Sequence, residues 1–201
     1  MDSKKAILQL NELKKRGKGL RLAAEWDNPW QSLISTILSA RTRDDKTIAV
    51  SKILYKKYRN LQELSNARLT DVKKIIRPIN FYKTKAKNII NCAKEIVKKY
   101  DGKIPREFEK LIELAGVGRK TANVFLAHQG GANIGVDTHV GHISHYLGWT
   151  RHTKPRLIEE DLKKLFPRSR WRSINYILVR FGQSYKSRKK KNEILDEIKT
   201  V

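Results

Sequence analysis

One cysteine, Cys92, stands in the whole chain of 201 residues. That excludes an intrachain disulfide and any metal or iron-sulfur site held by four thiolates. Spaced helically with Ile89 and Val97, Cys92 is expected to be a small core residue. Apolar runs are short as well: none approaches the roughly 18 residues of a membrane-spanning helix, and no basic n-region with an apolar h-region opens the chain. No membrane partner is expected, and the expected location is the cytoplasm. There is no Ser- or Pro-rich linker and no repeat at a period of roughly 20 to 50 residues, so composition marks no sharp domain boundary. Acidic residues are scarce, 20 against 44 Lys and Arg, for a formal charge of +24. Solubility does not require such an excess. It attracts a polyanion, and nucleic acid is the expected one.

What is present is helix after helix, without a convincing alternating strand. Asn28-Pro29 reads as a cap and first-turn proline, after which Trp30, Leu33, Ile34, Ile37 and Leu38 follow the helical stripe of a buried element. Asp44 or Asp45 can cap the next helix, carrying Val50, Ile53 and Leu54, and Thr70 can cap a shorter one with Val72, Ile75 and Ile76 that Pro78 stops. From Thr84 the set Ala86, Ile89, Ile90, Ala93, Val97 and Tyr100 makes the clearest amphipathic helix, closed by Asp101-Gly102. Later stripes are Leu157, Ile158, Leu162 and Phe166, then Ile174, Ile177, Leu178 and Phe181. After the basic run Lys186-Ser187-Arg188-Lys189-Lys190-Lys191, residues Ile194, Leu195 and Ile198 predict a last short helix. The fold class is all-α.

The turn Gly116-Val117-Gly118, followed by Arg119-Lys120-Thr121-Ala122, carries the chemistry. A G-x-G turn lets backbone N–H groups approach an anion, and a helix starting at Arg119 points its positive end the same way. Glycine in such turns also has purely steric uses, but cations at a helix N-terminus oppose the dipole and are explained better by a bound anion. Gly116, Val117, Gly118 and Arg119 therefore read as a clamp on a phosphate. A neutral amine at Lys120 can attack a sugar C1′ and form a Schiff base. The helix from Lys120 to His128 is about 12 Å long and the residues from Gln129 to Val136 extend over roughly 26 Å, so Asp137 can return towards Lys120. Asp137 as helix N-cap only, and Lys120 as phosphate contact only, remain open beside the catalytic reading.

The stretch Leu114-Ala115-Gly116-Val117-Gly118-Arg119-Lys120-Thr121-Ala122-Asn123 followed by Val136-Asp137-Thr138-His139 resembles the endonuclease III family of helix-hairpin-helix DNA glycosylases. Two further segments match in family order, Ile37-Leu38-Ser39-Ala40-Arg41-Thr42-Arg43-Asp44 and Ile79-Asn80-Phe81-Tyr82-Lys83-Thr84-Lys85-Ala86. The resemblance implies a two-lobed all-α fold of about ten helices with a DNA-binding cleft between the lobes. One lobe would span residues 25–130 and hold the hairpin at about 106–128; the other would combine 1–24 with 131–201.

It also implies base excision. A damaged pyrimidine in double-stranded DNA is flipped out, Lys120 displaces it at C1′, and the Schiff base drives β-elimination at the abasic site, with Asp137 as the assisting carboxylate. Arg41 would enter the gap left by the flipped base, where relatives often carry glutamine, and Phe81 would be a second wedge, against the alternative of a core aromatic beside Tyr82. His139 is expected to be structural. Most relatives bind a [4Fe-4S] cluster through four C-terminal cysteines that are absent here, so no cofactor and no metal is expected. Lys186, Arg188, Lys189 and Lys190 are read as the phosphate-binding substitute. A monomer associated with the nucleoid is expected. Two alternatives stay open: a monofunctional mismatch uracil or thymine glycosylase, and a helix-hairpin-helix module that binds DNA without cutting. The preferred lesion is not legible in the motifs.

Overall fold

The computed structural model of the protein describes residues 2–201. Among these residues there are twelve α-helices and no strand: α1 (Ser3–Arg16), α2 (Pro29–Ser39), α3 (Asp44–Lys57), α4 (Leu61–Ser65), α5 (Leu69–Ile75), α6 (Tyr82–Tyr100), α7 (Phe108–Ile112), α8 (Arg119–His128), α9 (Thr138–Tyr146), α10 (Pro155–Leu165), α11 (Trp171–Ser184) and α12 (Arg188–Thr200). A 3₁₀ turn, Arg168–Arg170, precedes α11. The all-α class follows the stripes. The count passes ten because α4 and α7, five residues each, are too short to show a helical period. No helix among the described residues is long and apolar enough to cross a membrane. The chain divides into two compact units: an inserted unit, Arg21–Gln129, and a terminal unit made of the N-terminal residues through Leu20 with Gly130–Val201.

The inserted unit is organised on α2. Asn28 caps it, its Oδ1 accepting from the Trp30 amide at 3.3 Å, and Pro29 occupies the first turn, where a missing N–H removes no bond. Trp30, Leu33, Ile34, Ile37 and Leu38 are buried, and so are Ser32, Ser35 and Thr36. The polar members are satisfied on the spot. Thr36 Oγ1 donates to the Ser32 carbonyl at 2.7 Å, Ser32 Oγ to that of Ala24 at 2.8 Å, and Ser35 Oγ meets the Tyr55 hydroxyl at 2.6 Å. Helices α3, α6 and α8 pack around this core.

Four local expectations are corrected. The N-cap of α3 is Arg43, not Asp44 or Asp45, and that of α5 is Arg68, with Thr70 inside the helix. Acids in the first turn stabilise a helix start from within through the dipole, so they mark the start without being the cap; Asp45 Oδ1 accepts from the Lys46 amide. Ile53 is 57% exposed, at the edge of its stripe, while Val50 and Leu54 are buried. Helix α6 begins at Tyr82, two residues before Thr84, and ends where expected, with Asp101 and Gly102 both at positive φ. Cys92 is fully buried in its core.

The terminal unit packs α1, α9, α10, α11 and α12 around Leu10, Leu13, Ile143, Leu162, Phe181 and Leu195. Trp149 Nε1 donates to the buried Gln9 Oε1 at 2.7 Å. Its last helix starts earlier than expected. Ser187 is the N-cap, accepting from the Lys190 amide, so Arg188 to Lys191 form the first turn of α12 and are not a loop ahead of it. Ile194, Leu195 and Ile198 are buried and hold the helix down.

Candidate active site

The hairpin lies in the inserted unit. Leu114 ends the approach from α7, the Val117 amide donates to the Leu114 carbonyl at 3.0 Å, and Gly116 takes φ +80° to close the turn. The Ala115 amide donates to Glu95 Oε2 at 3.0 Å, tying the turn to α6. The Val117 side chain is buried at 5% exposure, so Val117 is built into the turn, whereas Gly116, Gly118 and Arg119 are exposed. The Arg119 guanidinium lies 5.1 Å from the Phe108 ring centroid. Lys120 is half-buried in the first turn of α8.

The two glycines answer different demands. A Cβ on Gly116 would stand 2.8 Å from Asn88 Cβ, at a φ that L residues rarely adopt. Gly118 has φ −92° and ψ 175°, ordinary extended backbone, and a Cβ there would meet nothing within 4 Å. The fold requires the first glycine and not the second. An empty space in front of the first amides of a helix is where an anion approaches. Gly116→Ala is expected to cost about 2–4 kcal/mol from the left-handed backbone and the overlap, and to lower Tm by roughly 5 to 15 °C. Gly118→Ala is expected to move Tm by no more than about 3 °C yet to weaken DNA binding about tenfold or more, as read by fluorescence anisotropy. Unchanged DNA affinity in Gly118→Ala would refute the clamp.

The inserted unit also holds the two expected wedges. Arg41 and Phe81 both take the left-handed conformation, φ 55° and 58°, and the Arg41 guanidinium carbon lies 5.8 Å from the centroid of the Phe81 ring. Phe81 is 61% exposed. The alternative of a core aromatic is therefore overturned: its neighbour Ile79 turns inward and Phe81 does not. Non-glycine residues held at positive φ cost free energy and gather at functional sites.

Asp137 belongs to the terminal unit. It is the N-cap of α9, and one oxygen, Oδ1, accepts from both the His139 and Val140 amides at 2.9 Å. Oδ2 takes no part in the cap, so capping leaves a carboxylate oxygen for chemistry. The segment before it is fixed by Ile134 and Val136, both buried, and by Asn175 Nδ2, which donates to the Gly135 carbonyl at 2.7 Å. His139 lies against α11 so closely that a Cβ at Gly182 would overlap its ring at Nδ1. The basic run Lys186, Arg188, Lys189 and Lys190 is exposed, and Lys190 Nζ pairs with Glu193 at 3.4 Å.

A four-thiolate cluster does not fit this chain. The lone thiol is buried in the inserted unit, and burial, with Glu95 nearby, pushes its pKa up to about 12. No group of three or more His, Cys, Asp or Glu residues among the described residues could hold a metal ion.

Four residues around these groups are not singled out by the sequence: Glu95 and Asn88 behind the hairpin, and Asn80 and Lys85 behind the wedges. A lysine on the apolar stripe of α6, four residues before Ile89, is the one readable signal among them.

Comparisons with known proteins converge. Residues 34–168 match the HhH-GPD superfamily base excision DNA repair protein family. The chain is 43% identical over 157 residues to endonuclease III of Thermotoga maritima, covering 78% of this chain and 74% of that one. It is 37% identical over 174 residues to endonuclease III of Synechocystis, covering 86% and 80%. A solved structure described as a trapped endonuclease III–DNA covalent intermediate superimposes with a TM-score of 0.85 at 32% identity, over 94% of this chain and 90% of the other. A thermostable thymine-DNA glycosylase shares the fold, with a TM-score of 0.80 at 19% identity over 93% and 90%.

Proposed function

The chain belongs to the HhH-GPD superfamily of base excision DNA repair proteins, and from that premise we propose that it is a bifunctional DNA glycosylase and abasic-site lyase acting on oxidised pyrimidines in duplex DNA. The observation that carries the lyase half is Lys120, an amine in the first turn of α8 directly after the Gly116–Gly118 turn. As a phosphate contact alone Lys120 would form no bond to the sugar, so covalent trapping separates the two readings.

In this reading the Gly118 end of α8 and Arg119 hold a phosphate, positioning the duplex without reading its sequence. Arg41 and Phe81 fill the gap left by the extruded nucleotide, and the Phe81 ring offsets part of the unstacking cost of a few kcal/mol. The lone pair of Lys120 Nζ forms a bond to C1′ as the bond from C1′ to the base breaks, the base leaving with the electron pair of the broken bond and taking up the proton that the attacking nitrogen gives up. The sugar ring opens to the Schiff base. Loss of a C2′ proton then expels the 3′ phosphate, and water releases the lysine. Asp137 Oδ2 stabilises the cationic sugar and assists the proton transfers. The chain does this without an iron-sulfur cluster, as a monomer, where the chromosome is.

Borohydride added to protein and a duplex bearing one oxidised pyrimidine tests the proposal in one step. The expected result is a covalent protein–DNA adduct and, without borohydride, a strand broken 3′ to the lesion. Base release without adduct or break would point instead to a monofunctional glycosylase, and binding alone to a non-catalytic module.

The basic run Lys186, Arg188, Lys189 and Lys190, which leads into the first turn of α12, is proposed as the phosphate-binding substitute for a cluster loop. Four cations at a helix N-terminus oppose its dipole, which a bound phosphate relieves. Changing Lys186, Arg188, Lys189 and Lys190 to alanine is expected to lower the slope of log K against log salt by about 0.9 for each phosphate no longer neutralised, up to about 3 to 4. A salt slope equal to that of the unmodified protein would dismiss this role.

A further inference from the structure

Lys85, 6% exposed, is the only buried lysine among the described residues. Its Nζ donates to the Leu38 carbonyl at 2.7 Å and the Ala40 carbonyl at 2.5 Å, and lies 3.3 Å from Thr42 Oγ1. The two carbonyls are at the C-terminal end of α2, where a cation is favoured by the helix dipole and supplies donors that the last carbonyls lack. Lys85 itself stands in the first turn of α6, four residues after Phe81, whose carbonyl accepts from the Lys85 amide. One ammonium thus ties the end of α2, from which Arg41 projects, to the start of α6, from which Phe81 projects. Asn80 adds a second tie: its amide donates to Thr42 Oγ1 at 3.2 Å and its Nδ2 to the Arg41 carbonyl at 2.5 Å. The carbonyls on both sides of the Arg41 Cα, those of Ala40 and of Arg41 itself, are therefore held from the segment that carries Phe81.

This arrangement is expensive to build. Burial draws the Lys85 pKa down to about 8, because the ammonium gives up its hydration for these oxygens. A carbonyl-capping role alone could be filled by water at a helix end near the surface. What water cannot do is fix the spacing of two left-handed residues at the ends of separate helices. We infer that Lys85 is a positioning residue that sets Arg41 and Phe81 as one pre-formed wedge, so that both enter the duplex together. The inference rests on the proposed action on duplex DNA, and deepens it.

The test is a duplex carrying 2-aminopurine opposite a tetrahydrofuran abasic analogue, read at saturating protein so that affinity differences drop out. Wedge insertion unstacks the fluorescent base without any chemistry at Lys120. The expected result is a fluorescence rise with the unmodified protein, loss of about half or more of that rise in Lys85→Met, and recovery of most of it in Lys85→Arg. A residue that served only stability would lower Tm and leave the saturated signal intact. Retention of more than about half the rise by folded Lys85→Met, or no rise with the unmodified protein, overturns the inference. Should Lys85→Met not fold, Lys85→Gln, which removes the ammonium and keeps a polar end, decides by the same threshold. A rise on this duplex with no base release from the separate duplex bearing an oxidised pyrimidine would end the glycosylase reading and leave the wedge standing; base release from that duplex with no rise on this one would do the reverse.

Discussion

Lys120→Ala is expected to abolish the borohydride-trapped adduct and to lower strand cleavage at an abasic site by at least about 10³-fold, because the group that bonds to C1′ is gone and nothing else in the proposed scheme forms the Schiff base. Affinity for the same duplex should change little. The phosphate clamp is made by the backbone at Gly118 and by Arg119, and the wedges are at the ends of other helices. Stability should hold or rise slightly, by about 0.3–1 kcal/mol, since one cation is removed from the N-terminus of α8. Quantitative trapping on denaturing gels, with anisotropy and a thermal melt on the same preparation, separates the three outcomes. An adduct of normal yield in Lys120→Ala would place the nucleophile elsewhere and end the present assignment.

Asp137 permits a sharper experiment, because its two possible duties can be pulled apart. Asparagine caps helices as well as aspartate does, and only Oδ1 is used by the cap. Asp137→Asn is therefore expected to keep Tm within about 3 °C while lowering single-turnover base excision by about 10²- to 10⁴-fold, the range for losing a positioned acid-base group and its charge. Asp137→Ala loses the cap as well, costing a further ~1–2 kcal/mol, or roughly 2 to 8 °C in Tm. Wild-type excision rates in Asp137→Asn would reduce the residue to a helix cap.

Much of this machinery could be read along the chain because it is local. Asn28-Pro29 places the start of α2, Asp101-Gly102 the end of α6, and Asp137 the start of α9, each through a backbone requirement within a few residues. The same locality explains the misses. Asp44, Asp45 and Thr70 sit in first turns and announce a helix nearby, yet the exact cap depends on where the preceding chain arrives. Ile53 matches the period of its helix and still faces solvent, because no element covers that edge.

The sequence by itself determined the all-α class, the basic character, the hairpin with its lysine, and the lack of thiolates for a metal cluster. Each follows from composition or from spacings of a few residues. Tertiary structure alone decided that Phe81 is exposed beside Arg41, that Gly116 serves the fold while Gly118 leaves a space open, that His139 is seated on Gly182, and that Lys85 is buried against the end of α2. Those facts depend on which residues distant in sequence come into contact, and no local propensity carries that information.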